Sequence, residues 1–153
     1  MKPELQAKIL RVLEERAVRR LGGNAEIKVD VRIVAATNRD LAEMVAAGLF
    51  REDLYHRLNV VQMRLPALRD RTEDIPSLVG FFIKHFNAEM GKRITGAEAD
   101  AVAMLRAYHW PGNIRQLRNA VERAMLFAEG DELEAGNFPP EIVDWWQKQK
   151  QTA

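Results

Sequence analysis

One stretch of eight residues, 110–117 (WPGNIRQL), constrains the fold of this chain more than any other. It opens with a Trp-Pro-Gly turn, which ends any helix that precedes it. Asn113 can then cap a new helix, and Gln116 can bond back to the cap residue as in a capping box. Arg115 falls in the first turn of that helix, where the helix macrodipole disfavours a cation by about 0.3–1 kcal/mol. The sequence therefore predicts that Arg115 either faces an anion or pairs with a nearby carboxylate at the surface.

The composition excludes several classes of protein. The 153 residues suffice for one ordinary domain or two small subdomains, and 47% of them are hydrophobic, which is enough to bury a core. A formal net charge of +1 argues against a protein that coats nucleic acid. Cysteine is absent, which excludes disulfides and thiolate metal sites and fits a reducing cytoplasm. The three histidines show no ligand spacing, and no apolar run approaches the roughly 20 residues that span a bilayer.

Hydrophobic periodicity divides the chain near residues 65–66. The first part mixes helices and strands, whereas the second part is helical. For the first part we predict helices over 4–16, 40–47 and 51–58, a hairpin that joins 17–21 to 27–37, a strand over 29–37 that becomes buried toward its end, and a strand over 60–65. For the second part we predict helices over 73–90, 95–107 with a Thr-x-x-Glu capping box, 113 to about 128 and 140–146, followed by a polar tail over 147–153.

Asn38 is a first candidate site residue, since it follows the end of the predicted buried strand. Ligands of open α/β sheets gather beyond the carboxyl ends of the strands. An amide in that place can hold a water molecule or a phosphate oxygen. The other interpretation is structural, with Asn38 capping the helix over 40–47 or shaping the turn before it.

Two arginines form a second candidate. Phe50, Leu54 and Leu58 recur every four residues and predict the core-facing stripe of a helix. Arg51 and Arg57 lie off that stripe, about 120° apart around the helix and roughly 9 Å apart along it. They can flank one anionic group from two sides. Local pairing is the other interpretation, because Arg57 stands four residues after Asp53.

Taken in order, these motifs resemble the C-terminal part of the AAA+ ATPase domain of bacterial enhancer-binding proteins, the activators of sigma-54 RNA polymerase. The resemblance runs from residue 4 to about residue 128. It is carried by residues 5–16 (LQAKILRVLEER), 20–23 (RLGG), 29–32 (VDVR), 35–38 (AATN), 50–59 (FREDLYHRLN), 65–69 (LPALR), 73–76 (EDIP) and 110–117 (WPGNIRQL).

The resemblance implies a fold and a set of roles. The fold is a partial AAA+ P-loop α/β subdomain over 1–65, an all-α helical lid subdomain over 66–146 and a linker over 147–153. Asn38 corresponds to sensor I, which senses the γ-phosphate of ATP. Arg51 and Arg57 correspond to arginine fingers that reach into the nucleotide site of a neighbouring ring subunit, and Arg115 corresponds to sensor II. The implied partners are ring-forming AAA+ subunits and sigma-54 RNA polymerase in the cytoplasm of a bacterium.

The chain departs from the family in three motifs. It contains neither the Walker A loop G-x-x-x-x-G-K-[ST], nor the acidic Walker B strand end that holds Mg²⁺, nor the GAFTGA loop that touches sigma-54. We therefore expect a truncated product or a fragment that does not hydrolyse ATP alone. The central strand that Walker A follows is also missing, so we expect strand edges over 29–37 and 60–65 to be uncovered.

Two other functions remain open on the sequence. In a helix-turn-helix DNA-binding module, residues 98–107 and 113–128 would flank the Trp-Pro-Gly turn, and Arg115 and Arg118 would begin the recognition helix. The near-neutral charge argues against it, and we expect no direct DNA binding. In a non-catalytic interaction module, the chain would assemble with full-length AAA+ subunits and block them.

Overall fold

The computed structural model describes residues 2–20, 22–23 and 25–152. The chain divides into two compact units, residues 1–64 and residues 65–153. Helices and strands are mixed in the first unit and helices dominate the second, as the periodicity predicts. Within the described residues, no helix combines the length and the apolar character that crossing a bilayer requires.

The first unit contains three helices and one hairpin. Its elements are α1 (Pro3–Glu15), β1 (Ala17–Arg19), β2 (Glu26–Lys28), α2 (Leu41–Ala46) and α3 (Glu52–Leu58). The strands β1 and β2 pair antiparallel with Val18 opposite Ile27, and an ion pair joins Arg19 to Glu26. The predicted hairpin is therefore confirmed. Leu21, which we predicted at the end of its first strand, and Asn24, which we predicted in its turn, lie outside the described residues.

The strands predicted over 29–37 and 60–65 are not formed. Both segments lack regular secondary structure, and their apolar side chains face solvent, with Val34 81% exposed and Leu65 89% exposed. A buried strand needs hydrogen-bonded neighbours on both sides. Within the described residues of this unit, the one ladder is that of the β1–β2 hairpin, so the apolar runs have no sheet to enter.

Helix α1 buries a glutamine and leaves the leucine before it exposed. Leu5 is 49% exposed, whereas Gln6 is 2% exposed. The pairing of α1 with α3 explains the difference, because the Gln6 amide binds the backbone at the start of α3. The predicted stripe of α3 is confirmed at Phe50 and Leu54, both of which are buried.

Helix α2 begins at an aspartate. The Asp40 carboxylate accepts hydrogen bonds from the backbone N–H groups of Ala42 and Glu43, at 2.9 and 3.2 Å. Gly48 ends this region with a φ of 69°, a left-handed conformation that glycine adopts without strain. Asp40 and not Asn38 therefore caps the helix, and the capping interpretation of Asn38 is wrong.

The second unit is a helical set around one core. Its elements are two 3₁₀ turns (Leu68–Asp70 and Thr72–Asp74), α4 (Ile75–Met90), β3 (Gly96–Ala97), α5 (Ala99–Ala107), α6 (Asn113–Phe127), β4 (Glu132–Leu133), a 3₁₀ turn (Ala135–Asn137) and α7 (Pro140–Thr152). The short strands β3 and β4 pair in parallel, with Ala97 opposite Leu133. Side chains from every helix of the unit enter the core, among them Phe86, Met104, Leu117 and Ile142.

The start of α5 and the end of α7 differ from the sequence prediction. The capping box over 95–98 does not form, because the Thr95 hydroxyl donates to the carbonyl of Asp131, 2.9 Å away. The polar tail predicted from residue 147 is helical as far as Thr152. Lys150 lies on this extension, and its ammonium is 2.6 Å from the Asp100 carboxylate on α5.

Three polar contacts build the start of α6. The Gln116 side chain bonds back, and its Oε1 accepts from the Gly112 N–H at 2.9 Å. Asn113 does not act as the cap, because its Oδ1 accepts from the Leu68 N–H at 3.0 Å. Asn113 adopts a φ of 56°, and the buried Trp110 donates its indole N–H to the Leu105 carbonyl at 2.7 Å. Arg115 therefore lies in the first turn of α6, as predicted.

We expect hydrogen exchange to be slower in residues 65–153 than in residues 1–64. The second unit has a contiguous core, whereas the described part of the first unit buries little beyond Gln6, Phe50 and Leu54. Amide exchange followed by mass spectrometry on the purified chain measures the difference. Equal protection of α1 and of the helices α4 and α6 would contradict the expectation.

Replacing Gly112 by alanine should destabilise the second unit by about 1–3 kcal/mol, because an added Cβ would lie 2.7 Å from the Cβ of Gln116. Gly80→Ala in α4 is the matched control. Nothing lies within 4 Å of a Cβ at that position, so alanine there should stabilise the helix by about 0.5–1 kcal/mol. Chemical denaturation of both variants measures the two effects, and a neutral Gly112→Ala would contradict this account of the turn.

Candidate functional site

Asn38 lies in an exposed bend between the extended segment 29–37 and α2. The residue before it closes a local turn, since the Thr37 hydroxyl accepts from the Arg39 N–H at 3.1 Å. With Asp40 serving as the helix cap, the Asn38 side chain is not required to hold α2. The amide is therefore available to a ligand from solvent, with both its donor and its acceptor groups.

Arg51 immediately precedes α3, and both its backbone and its guanidinium form hydrogen bonds within the unit. Its backbone N–H donates to Gln6 Oε1 at 2.8 Å. Its guanidinium binds Asp53 through two parallel hydrogen bonds, Nε to Oδ1 at 3.0 Å and Nη2 to Oδ2 at 2.7 Å. The hydrogen bond from Arg51 lowers the pKa of Asp53, and the same contact raises the pKa of Arg51. Asp53 therefore pairs with Arg51, and the pairing of Asp53 with Arg57 suggested by their spacing is wrong.

Arg57 lies in the last turn of α3 and is exposed. A cation at the carboxyl end of a helix interacts favourably with the helix dipole. Within the part of the chain that the structure describes, no carboxylate lies within ion-pair distance of its guanidinium. Arg57 thus presents five donors to an incoming anion, whereas Arg51 must first exchange Asp53 for it.

Gln6 is the functional candidate that sequence reasoning missed. Its Nε2 donates to the Leu49 carbonyl at 3.1 Å, and its Oε1 accepts from Arg51. These bonds span Phe50, whose ring is buried, so the backbone before α3 is fixed on both sides of that anchor. The signal in the sequence is helical spacing, because Gln6 lies three residues before the half-buried Ile9 and seven before the half-buried Leu13, on the same face of α1.

Arg115 belongs to the second unit and lines an open groove of about 470 Å³. The groove lies between α6 and the segment that leads into α7, and its wall combines polar and apolar groups. It is lined by Gly112, Arg115, Gln116, Asn119, Ala120, Arg123, Pro139, Glu141 and Ile142. Two guanidinium groups against one carboxylate make this groove suited to an anionic ligand.

The chemistry available to these four residues is the binding of phosphate oxygens. Arg51, Arg57 and Arg115 supply planar guanidinium groups that match a phosphate in bidentate geometry, and Asn38 supplies an amide. Among the residues that the structure describes, no group of three or more histidine, aspartate and glutamate side chains is arranged to hold a metal ion. Each of these side chains can therefore donate a hydrogen bond to a phosphate oxygen.

The surface around Arg118 does not favour the DNA-binding alternative. Arg118 donates to the Glu122 carboxylate at 3.1 Å, and its guanidinium lies 5.1 Å from the centre of the Phe86 ring. A recognition helix needs the side chains of its first turns free for base edges. One of the two arginines that this alternative requires is thus committed to contacts within the unit.

Comparisons with known proteins cover both units. Residues 69–153 match the AAA+ ATPase lid domain, and residues 1–64 match the sigma-54 interaction domain. The chain is 47% identical over 142 residues to nitrogen fixation protein AnfA of Azotobacter vinelandii, which takes in 93% of this chain and 27% of AnfA. It is 50% identical over 138 residues to regulatory protein AtoC of Escherichia coli (strain K12), covering 90% of this chain and 30% of AtoC. The chain thus spans about a quarter to a third of the length of these relatives.

A solved structure supports the same relationship. The crystal structure of NtrX from Brucella abortus in complex with ATP matches with a TM-score of 0.83 at 49% identity, covering 95% of this chain and 34% of that chain. None of these matches supports the DNA-binding alternative. Because the lid match alone takes in more than half of the residues and the sigma-54 interaction match takes in residues 1–64, the chain belongs to the AAA+ ATPase domains of sigma-54-dependent transcriptional activators.

Proposed function

We propose that this chain supplies the sensing residues and the trans-acting residues of an ATP-hydrolysing site in a sigma-54-dependent activator. The observation that carries the proposal is the exposure of Arg51 and Arg57 at the two ends of the short helix α3. Neither guanidinium is used to hold the fold together, since the residues that pack α3 are Phe50 and Leu54. Arg57 is thus free to act on a ligand brought by another molecule, and Arg51 can act on one by exchanging its exposed partner Asp53 for it.

In this proposal, Arg51 and Arg57 donate hydrogen bonds to phosphate oxygens of a nucleotide bound by a neighbouring AAA+ subunit. Arg115 neutralises phosphate charge from the lid, and the Asn38 amide orients the attacking water. Cationic donors stabilise the charge that develops on the transferring phosphoryl group, and an arginine finger is worth about 10³–10⁵ in rate. Mg²⁺ supplies further charge neutralisation in a complete site, and we assign no residue of this chain to it.

The partners that follow are ring-forming AAA+ subunits and, through the assembled ring, sigma-54 RNA polymerase in the bacterial cytoplasm. Three findings support them. Residues 1–64 match a family described by its interaction with sigma-54, and NtrX of Brucella abortus, which is similar over nearly the whole chain, has been solved with ATP. Both guanidinium groups of α3 also lie at the surface, where a nucleotide held by another subunit can reach them.

A chimera tests the two proposed fingers. The chain replaces the matching segment of AtoC from Escherichia coli, so that AtoC supplies the rest of the nucleotide site. We expect Arg51→Ala and Arg57→Ala each to lower kcat for ATP hydrolysis by about 10³, as loss of transition-state charge stabilisation predicts. Phosphate release measures kcat, and Arg106→Ala, which removes an exposed arginine from α5, is the matched control. A rate within twofold of the unsubstituted chimera for either finger variant would exclude that arginine from the reaction.

Replacing Arg115 by alanine in the same chimera should weaken ATP binding. Loss of a charge-assisted hydrogen bond costs about 1.5–3 kcal/mol, which corresponds to an increase in Kd of about 10–100-fold. Fluorescence titration with a labelled nucleotide measures the Kd, and Arg115→Lys should recover part of the affinity because it keeps the charge. If Arg115→Ala and the control Arg106→Ala gave the same Kd, the groove beside α6 would not be part of the nucleotide site.

A further inference from the structure

Gln6 is unusual for its place in the first unit. Among the described residues it is the one polar side chain that is fully buried, in a helix whose other inward-facing residues are aliphatic. A buried amide is costly unless its donor and acceptor groups are both satisfied. Gln6 uses both groups on the short segment that leads into α3, and this segment ends in Arg51.

The two hydrogen bonds fix the backbone on either side of one residue. The Leu49 carbonyl is bound on one side of Phe50 and the Arg51 N–H on the other, while Phe50 itself is buried. The Cα of Arg51 is therefore held from α1, some 45 residues earlier in the sequence. The contact of Arg51 with Asp53 differs from the Gln6 hydrogen bonds, because it restrains the exposed guanidinium and not the backbone of Arg51.

We propose that Gln6 is a positioning residue for ATP hydrolysis, which sets the point from which Arg51 extends toward the neighbouring nucleotide. This inference rests on the proposed role of Arg51. An arginine that reaches into another subunit works only if its base stays in place, and a misplacement of about 1 Å in a catalytic group can cost about 100-fold in rate. Gln6 acts on the backbone, so its effect persists after the guanidinium has left Asp53.

The test uses Gln6→Leu in the AtoC chimera. Leucine keeps the volume and the burial of the side chain but removes both hydrogen bonds. We expect kcat to fall by about 10–100-fold, while KM for ATP changes by less than about twofold, because the bound nucleotide itself is not touched. Gln6→Glu is the second variant. It keeps an oxygen that accepts from the Arg51 N–H but turns an acceptor toward the Leu49 carbonyl and buries a charge, so its kcat should be no higher than that of Gln6→Leu.

A packing control separates positioning from folding. Leu58→Ala removes a half-buried side chain from α3 without touching the Gln6 bonds. Thermal unfolding of the 153-residue chain with each substitution gives the loss of Tm. If Gln6 matters only for stability, the two variants will lose kcat in proportion to their loss of Tm. Positioning predicts a much larger loss of kcat for Gln6→Leu at a similar loss of Tm.

The decisive comparison repeats Gln6→Leu in a chimera that also carries Arg51→Lys. Lysine keeps the charge but loses the planar guanidinium, so we expect a measurable rate of ATP hydrolysis to remain. If Gln6 acts through Arg51, Gln6→Leu should lower kcat much less in this background than in the unsubstituted chimera. The same fold loss in both backgrounds, or a loss matched by Leu58→Ala, overturns the inference. A finding that Arg51→Ala leaves kcat unchanged instead overturns the proposed function itself, so the two failures are distinguishable.

Discussion

The second unit depends most on the contact between Gly112 and the Gln116 side chain, which folds back over it. This side chain satisfies a backbone N–H at the start of α6 and occupies the space that a Cβ on residue 112 would need. The direction of α6 is set at that turn, and the Asn113 amide joins it to the first residues of the unit at Leu68. Because Leu117 and Val121 enter the core from this helix, an error at the turn would displace the core as well as Arg115.

The helices of this chain were predictable because their signals are local. Periodic apolar residues, a Pro-Gly turn and glycines at the ends of α2 and α4 act over one or two helical turns, and these helices form where the sequence places them. The strands over 29–37 and 60–65 were not predictable in the same way. Their apolar runs describe what a strand buries once neighbours flank it, and whether neighbours are present is not a local property. The short hairpin formed because each of its strands provides the neighbour of the other.

The site residues show the same difference between local features, which the sequence predicts, and long-range contacts, which it does not. That Arg51 and Arg57 lie off the apolar stripe of α3 follows from helical spacing, and the structure places both in solvent. The arginine partner of Asp53 did not follow from helical spacing. Arg51 precedes the helix and has extended backbone, so its side chain points differently from that of a residue within the helix. The Gln6 contacts lie beyond local reasoning altogether, since they join residues 43 and 45 positions apart.

The ion pair between Arg51 and Asp53 gives the proposed finger a defined resting state. Both side chains are about half exposed, so water screens their attraction and competes for their hydrogen bonds. Such a pair orders the guanidinium without holding it strongly. A phosphate carries more charge than a carboxylate and offers the same bidentate geometry, so exchange toward it is favourable when the nucleotide is excluded from water. The surface ion pair with Asp53 orients the guanidinium of Arg51, and the buried amide of Gln6 fixes the backbone of Arg51. Together they limit the conformational freedom that Arg51 would lose on reaching the neighbouring subunit.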